Sequence, residues 1–423
     1  MSRYINWSKY PEYGQLIAER RAAGDSWPEV ASKLREQFGI PASDETARSW
    51  ARRTGFEDPP VVVPALTPQE KFSQKVASER ERAETRAVAA EMAAAVKAAA
   101  RWNEFIEIVQ GALESTPRAK LEQLTVHQGT GTPETMVVLI GDIHIGKLVD
   151  PAVVGDGFGY GIPIFESRWA RLKDRILRLY SLHSLTAPIE KLRIYFLGDG
   201  VDGVDMRRGH AHRVDVQTAT RQCLILVYSF EGMVRELSQL LGIPIEIIWD
   251  FGNHGRVGDF GVNLPADNWD FIAGQMLGIA LRDLTATGAV KLSATEQKYT
   301  ITNLGPYRVH SAHGDAVRGG DGFAGLPING LARALAKDTG LHLQLFDLYL
   351  TAHFHTPQDI TTQAGRIIMN GAWDGGDDYS INQLKAASEP VQFAFGIHPQ
   401  KGMTWQSRIH LAPRRLPSIP EDL

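Results

Sequence analysis

Five short polar islands punctuate this chain, each directly after an apolar run. Gly141-Asp142-Ile143-His144 follows Met136 to Ile140, and Gly198-Asp199-Gly200-Val201-Asp202 follows Leu192 to Leu197. Gly252-Asn253-His254 follows Ile245 to Phe251, His313-Gly314-Asp315 follows Tyr307 to Ala312, and His353-Phe354-His355 follows Phe346 to Ala352. Short apolar runs rich in β-branched and aromatic residues read as buried strands. Polar residues at the C-terminal ends of strands in an α/β sheet can converge on one crevice. Asp, His and Asn without thiolate suit hard or borderline divalent ions such as Mn, Fe, Zn or Co, and the two oxygens of an Asp can bridge a pair. The fold must therefore bring five strand ends together.

Helical periodicity fills the gaps, with one helix over Phe165 to Leu185 and a second over Val216 to Leu241. From Val290 onward the pattern turns to β, with strands near Tyr299, Tyr307, Phe346, Arg366, Phe393 and Thr404. Layered mixed sheets flanked by helices are the simplest architecture that satisfies both constraints.

Written as D-x-H, GD-x-x-D, GNH, HG and H-x-H, the islands resemble those of the calcineurin-like metallophosphoesterase family over roughly residues 134 to 411. The resemblance implies an α/β metallophosphoesterase fold, a layered β-sandwich flanked by helices, and two divalent metal ions, with Mn foremost and Fe, Zn or Co as alternatives. Carried over residue by residue, it gives Asp142, His144 and His355 to one ion and Asn253, His313 and His353 to the other, with Asp199 bridging. Two ions about 3.5 to 4 Å apart clamp the attacking and leaving oxygens of an in-line displacement. His254 falls where the family stabilises phosphoryl charge and protonates the leaving oxygen. Asp202, the second Asp of GD-x-x-D, takes a supporting or loop-fixing role.

This chain departs from the pattern at Gly255, where many members carry the carboxylate that orients the histidine, and at Ala352, where Gly is usual. Asp259 and Asp315 are the candidates for orienting His254 instead. His310 falls on the opposite face of its strand from the ligand set and reads as structural. His127, His183, His342, His398 and His410 have no paired ligand and read as ordinary histidines. Arg207, Arg208, His210 and His212, directly after the second island, are candidate substrate contacts to a phosphate backbone. The Gly319 to Gly325 run lacks a Gly-Lys-Ser/Thr ending and is no P-loop. The run Asp374-Gly375-Gly376-Asp377-Asp378 lacks EF-hand spacing and is assigned no metal.

Residues 1–58 read as a separate all-α unit resembling a helix-turn-helix module: helices over Tyr13 to Ala23, Trp27 to Phe38 and Asp44 to Arg53, the last capped by Ser43. The third would be the recognition helix, with Arg48, Arg52 and Arg53 contacting DNA. The unit carries nine Lys/Arg against nine Asp/Glu, so only that helix end is basic, and a protein-binding module is the rival reading. Residues 59–133 form a linker. Its Ala/Glu/Arg-rich stretch, Thr67 to Leu113, reads as one long helix whose Ala-dominated stripe fits either a solvated spacer or a weak homodimer seam. The catalytic domain then spans 134–423. An N-terminal module of this kind on such a core resembles phage or prophage phosphoesterases and, more distantly, the DNA-repair exonuclease branch.

A net charge of -4 excludes a globally basic nucleic-acid coat. The single Cys223 cannot form an internal disulfide and fits a reducing compartment. No apolar stretch approaches the ~18 residues of a membrane span, and the first residues lack a signal-peptide core, so a cytoplasmic protein is expected. The leading reading is a two-metal phosphodiesterase, a nuclease acting on DNA. The rivals are a phosphatase, a cyclic-nucleotide phosphodiesterase, and a DNA-binding adaptor with a structural phosphoesterase core.

Overall fold

The computed structural model describes residues 11–54, 56, 120–154, 159–204, 206, 209–258, 261–317, 328–377 and 388–412, with scattered positions between 75 and 86. The chain divides into two compact units, 1–98 and 99–423.

The first unit contains α1 (Pro11–Ala22), α2 (Trp27–Phe38) and α3 (Asp44–Thr54). Their apolar faces close on Tyr13, Ile17, Val30, Leu34, Ala42 and Ala47. The ends are set by the residues the sequence marks. Ser26 N–H donates to the Glu29 carboxylate at 2.7 Å, and Thr46 N–H donates to Ser43 Oγ at 3.2 Å, the side-chain caps that satisfy orphan helix donors. On α3, Arg48 lies 3.9 Å from Asp44 and over the Trp27 ring, while Arg52 and Arg53 are exposed. Of the expected linker helix, only helical positions between 75 and 86 are described.

The second unit runs β1 (Glu134–Ile140), α4 (Ile162–Ser184), β2 (Ile189–Leu197), α5 (Ala219–Leu241), β3 (Ile245–Asp250), α6 (Trp269–Ala280), β4 (Val290–Ala294), β5 (Tyr299–Leu304), β6 (Tyr307–Ala312), α7 (Ile328–His342), β7 (Leu348–Thr351), β8 (Gln358–Thr362), β9 (Gly365–Met369), β10 (Val391–His398) and β11 (Gly402–His410), besides short helical turns. Two sheets result, ordered β11-β10-β1-β2-β3-β4 and β5-β6-β7-β9-β8. β1 to β4 are mutually parallel, as are β6, β7 and β9.

Strand alternation builds the layers. Val137, Leu139, Tyr195, Leu197 and Ile248 of the first sheet meet Val309, Leu348, Leu350 and Ile368 of the second. The opposite face of the first sheet, with Met136, Val138, Ile140, Phe196 and Trp249, lies under Leu172, Ile176, Phe230 and Leu277 of α4, α5 and α6. The outer face of the second sheet packs Tyr349, Ile367 and Met369 on Leu331 and Leu335 of α7. The order is helix, sheet, sheet, helix, a mixed α/β sandwich. The expected strands are present, whereas α6, α7 and β4 were not anticipated.

The segment expected to be linker is, over its last residues, part of this unit. Leu124 N–H donates to Leu240 O at 2.8 Å and Gly129 N–H to Ser184 O at 2.7 Å, so the backbone from about Leu121 is tied to the ends of α4 and α5. Among the described residues no helix is long and apolar enough to cross a membrane.

Candidate metal centre

The C-terminal ends of β1, β2 and β3 and of β6 and β7 open onto one crevice, and the chain leaves several of them in an unusual conformation. Six non-glycine residues among those described have positive φ, and five belong to the islands: Asp142 (51°), His144 (53°), Asp199 (52°), His353 (69°) and His355 (57°). Such backbone costs on the order of 1–3 kcal/mol per residue and persists where the surroundings over-determine it. Here the surroundings are buried polar clamps. The Asp270 carboxylate accepts from Gly200 N–H (3.1 Å), Val201 N–H (3.2 Å) and Gly252 N–H (3.1 Å), binding the second island to the third. Gln392 accepts from Gly141 N–H at 3.0 Å. Two glycines allow the approach: a Cβ on Gly198 would lie 2.4 Å from Gly252 N, and one on Gly252 would lie 2.0 Å from Asp199 Oδ1.

Three groups with metal-ligand spacing are present among the described residues, one of them His144, Asp202 and His254. The ligand atoms of Asp142, His144 and His355 lie within 4.8 Å of one another, as do those of Asp199, His313 and His353. His144 Nε2 is 3.0 Å from His355 Nε2. His313 Nε2 is 3.0 Å from Asp199 Oδ2, 3.1 Å from Asn253 Oδ1 and 3.3 Å from His353 Nδ1. Asp142 links the groups, accepting from His353 N–H at 2.9 Å and lying 4.0 Å from His313 Nδ1. All seven residues assigned from the family pattern thus share one crevice.

The donor set fits divalent cations. His313 donates its Nδ1 hydrogen to Leu197 O at 2.8 Å, so its Nε2 faces carboxylate and amide oxygens and needs either a proton or a cation between them. Acceptors facing acceptors in a buried crevice are unfavourable until a cation joins them. The proton affinities carry the same strain. Burial, with help from Asp199, pushes Asp142 up to about 8. Burial opposes the charge of Asp199, yet His313 and His254 hold it well below the usual carboxylate range. Burial also works against His313, but Asp199 and Asp142 raise it to about 10. His353 is depressed to about 4 by burial and by His313, and His355 to about 3 by burial.

His254 stands beside both groups. Its Nδ1 lies 2.9 Å from the Asp202 carbonyl and 3.2 Å from Asp202 Oδ1, so Nδ1 carries the hydrogen and Nε2 turns to the crevice. Burial disfavours its charge, but Asp199 and Asp202 raise it to about 9. The residue that orients His254 is therefore Asp202. Asp315 is instead paired with Lys298 at 2.9 Å, and Asp259 lies outside the described residues. A side chain at Gly255 would require Asn268 to shift, since a Cβ there would sit 2.3 Å from Asn268 Oδ1.

Of the four expected substrate contacts, His210 alone is described with its side chain, and it turns inward. His210 is buried; its Nε2 meets Asp202 Oδ2 at 2.7 Å and its Nδ1 accepts from Met206 N–H at 3.1 Å, which leaves no ring nitrogen for a phosphate. Arg207, Arg208 and the side chain of His212 lie outside the described residues. Sequence reading also missed a buried ionic cluster. Lys147 bonds to Asp374 and lies 3.0 Å from Asp377, while Asp374 Oδ1 is 3.9 Å from His355 Nδ1. Asp374 follows strand β9, and that position at a strand end was the available signal.

No protein family matches the chain's sequence, and no curated protein matches it either. Solved structures with similar coordinates include a conserved uncharacterized protein, a predicted phosphoesterase, from Streptococcus pneumoniae, at 12% identity and TM-score 0.27, covering 63% of this chain and 86% of that one. Vps29 complexed with zinc from Entamoeba histolytica matches at 11% identity and TM-score 0.28, over 66% and 100% of the two chains. A novel archaeal phosphodiesterase matches at 11% identity and TM-score 0.29, over 65% and 99%. At those scores the functional reading rests on this chain's own residues.

Proposed function

We propose that the crevice is the active site of a metal-dependent phosphodiesterase acting on nucleic acid, with DNA as the substrate. The observation that carries the hydrolytic reading is the meeting of two carboxylate–imidazole groups, Asp142/His144/His355 and Asp199/His313/His353, in one crevice with His254 beside them. The residues would hold two divalent ions, one on each group, with Asp199 between them and Asn253 completing the second. Ions bound there supply Lewis acidity to a phosphoryl oxygen and lower the pKa of water.

The chain's own residues do the rest. His254 directs Nε2 at the crevice because Asp202 fixes the opposite nitrogen, so a proton at Nε2 can pass to the leaving oxygen. The same imidazolium offsets charge that develops on the phosphoryl group. The positive-φ backbone holds the donors in place before substrate arrives, so little reorganisation is needed during reaction.

DNA is favoured by α3, whose last turn exposes Arg52 and Arg53 with Arg48 one turn earlier. Purified protein loaded with Mn is to be offered a nitrophenyl phosphodiester, a phosphomonoester and labelled single- and double-stranded DNA. Cleavage of the diester and of DNA, with little monoester turnover, is the expected result. Monoester turnover alone would establish a phosphatase, and no turnover with intact DNA binding would establish an adaptor. Reversing the charge of Arg48, Arg52 and Arg53 should leave diester hydrolysis unchanged and flatten the salt dependence of DNA binding by roughly one unit per phosphate contact. An unchanged salt slope would remove α3 from the DNA interface and favour a protein partner.

A further inference from the structure

Asp202 serves three imidazoles at once. Its Oδ1 faces His144 Nδ1 and His254 Nδ1 at 3.2 Å each, as an ion-pair partner without hydrogen-bond geometry to either; its backbone carbonyl takes His254 Nδ1 at 2.9 Å, and Oδ2 takes His210 Nε2 at 2.7 Å. One carboxylate is thus the nearest opposite charge to both a proposed metal ligand and the proposed proton donor. The terminal torsion of an Asp side chain is soft and two-fold, so a partner on the second oxygen is needed to keep the first aimed at both rings. His210 is that partner. Met206 N–H occupies its Nδ1 at 3.1 Å, which places the ring hydrogen on Nε2, facing Asp202. The ring is buried.

We propose that His210 is a positioning residue: by pinning Asp202 it aligns His144 for metal binding and His254 for proton transfer. This rests on the proposed phosphoesterase reading for its kinetic consequence, but the consequence for metal affinity stands without it. A cavity of about 280 Å³ lined by Asp202, His210, Lys147 and Arg213 adjoins the contact, so a small molecule can reach the space a truncated His210 would vacate.

The experiment compares His210→Ala, His210→Gln and wild type. Mn affinity is measured by calorimetry, and turnover is measured on a diester with a poor leaving group and on a nitrophenyl diester. In His210→Ala, Mn affinity at one of the two sites should fall about 10- to 100-fold, as for other lost partners of ligating histidines. Turnover should fall more on the poor leaving group than on the good one, with KM little changed. Gln, whose amide N–H can reach Asp202, should restore most of both, and free imidazole should partly rescue the Ala variant. Wild-type Mn affinity and turnover in a folded Ala variant would overturn the proposal. So would a folded Gln variant as impaired as the Ala variant, because the ring would then only fill space. If Ala fails to fold, Gln against His210→Leu decides by the same measurements. If wild type hydrolyses no phosphodiester, the proposed function fails, and the Mn affinities still decide the role of His210.

Discussion

His310 and His313 are three residues apart on and just beyond β6, and both are buried, yet they live in opposite chemical worlds. His313 sits past the strand end, 3.0 Å from Asp199, and is raised to about 10 by carboxylates that outweigh its burial. His310 sits within the strand, between the rings of Tyr299 and Tyr349 at 5.1 and 4.9 Å, with Asp338 of α7 at 3.6 Å. Burial, aided by His342, depresses it to about 4. Burial alone does not make a histidine a ligand or an acid. Position relative to the strand end decides which partners it meets.

The largest break in that comparison comes from the carboxylate that sets the His313 side. Asp199→Asn keeps the shape but removes the charge proposed to bridge the two ligand groups, so metal should be lost and hydrolysis should fall at least the ~10³-fold seen when a preorganised charge-stabilising group is removed. Metal analysis alongside kinetics checks it; two ions per chain with near-normal turnover would refute the bridging assignment. His254→Ala should retain its metal and lose about 10² to 10⁴ in turnover, the range for a missing proton donor. A nitrophenyl ester should lose much less, and equal losses on both substrates would count against proton donation. Gly252→Ala tests the backbone instead of the chemistry. The added Cβ, 2.0 Å from Asp199 Oδ1, must push that carboxylate aside, and misplacement by about 1 Å costs roughly 10²-fold. Normal turnover in that variant would mean the close approach of the two turns is dispensable.

The same contrast explains what could be read from the residues alone. Strand ends were legible because an apolar run followed by Asp, His or Asn reports both the element and its boundary. The seven residues that the family resemblance proposes as ligands sit at or just beyond those ends. Strand alternation turns His310 away from the islands, and its stacked neighbours Tyr299 and Tyr349 agree with a structural role. The partner of His254 was harder. Asp202 lies 52 positions from it, and a search confined to the position after GNH finds only Gly255. His210 sits in a run of Arg and His that reads as a phosphate-binding loop, and nothing local shows its ring turned inward onto Asp202. Asp374 and Lys147 are 227 positions apart, and neither carries a motif. Long-range polar pairing of this kind is fixed by the sandwich topology, which brings the end of β9 beside the end of β1.

The smallest expected effect lies on the His310 side, and it concerns stability without catalysis. A histidine whose folded pKa is depressed to about 4, against an unfolded value near 6.5, is neutral in the folded protein while the unfolded chain takes up a proton. In that window the unfolded state binds more protons, so stability rises with pH and is lost as pH falls from about 6.5 towards 4. Below about 4 both states are protonated and this contribution no longer changes. Asp338, raised by its own burial, takes up its proton more readily folded than unfolded and so offsets part of the loss. Before that offset, the His310 shift corresponds to a loss on the order of 3 kcal/mol. His310→Phe keeps a ring between Tyr299 and Tyr349 but cannot titrate. Urea unfolding at pH 7 and pH 4.5 should show a smaller acid loss in this variant than in wild type, with turnover at pH 7 unchanged. If the two proteins lose stability in parallel, His310 is not the group that charges on unfolding. If turnover falls with His310→Phe, the nest beneath α7 is coupled to the crevice after all, and the separation between the two histidines of β6 is less complete than their surroundings imply.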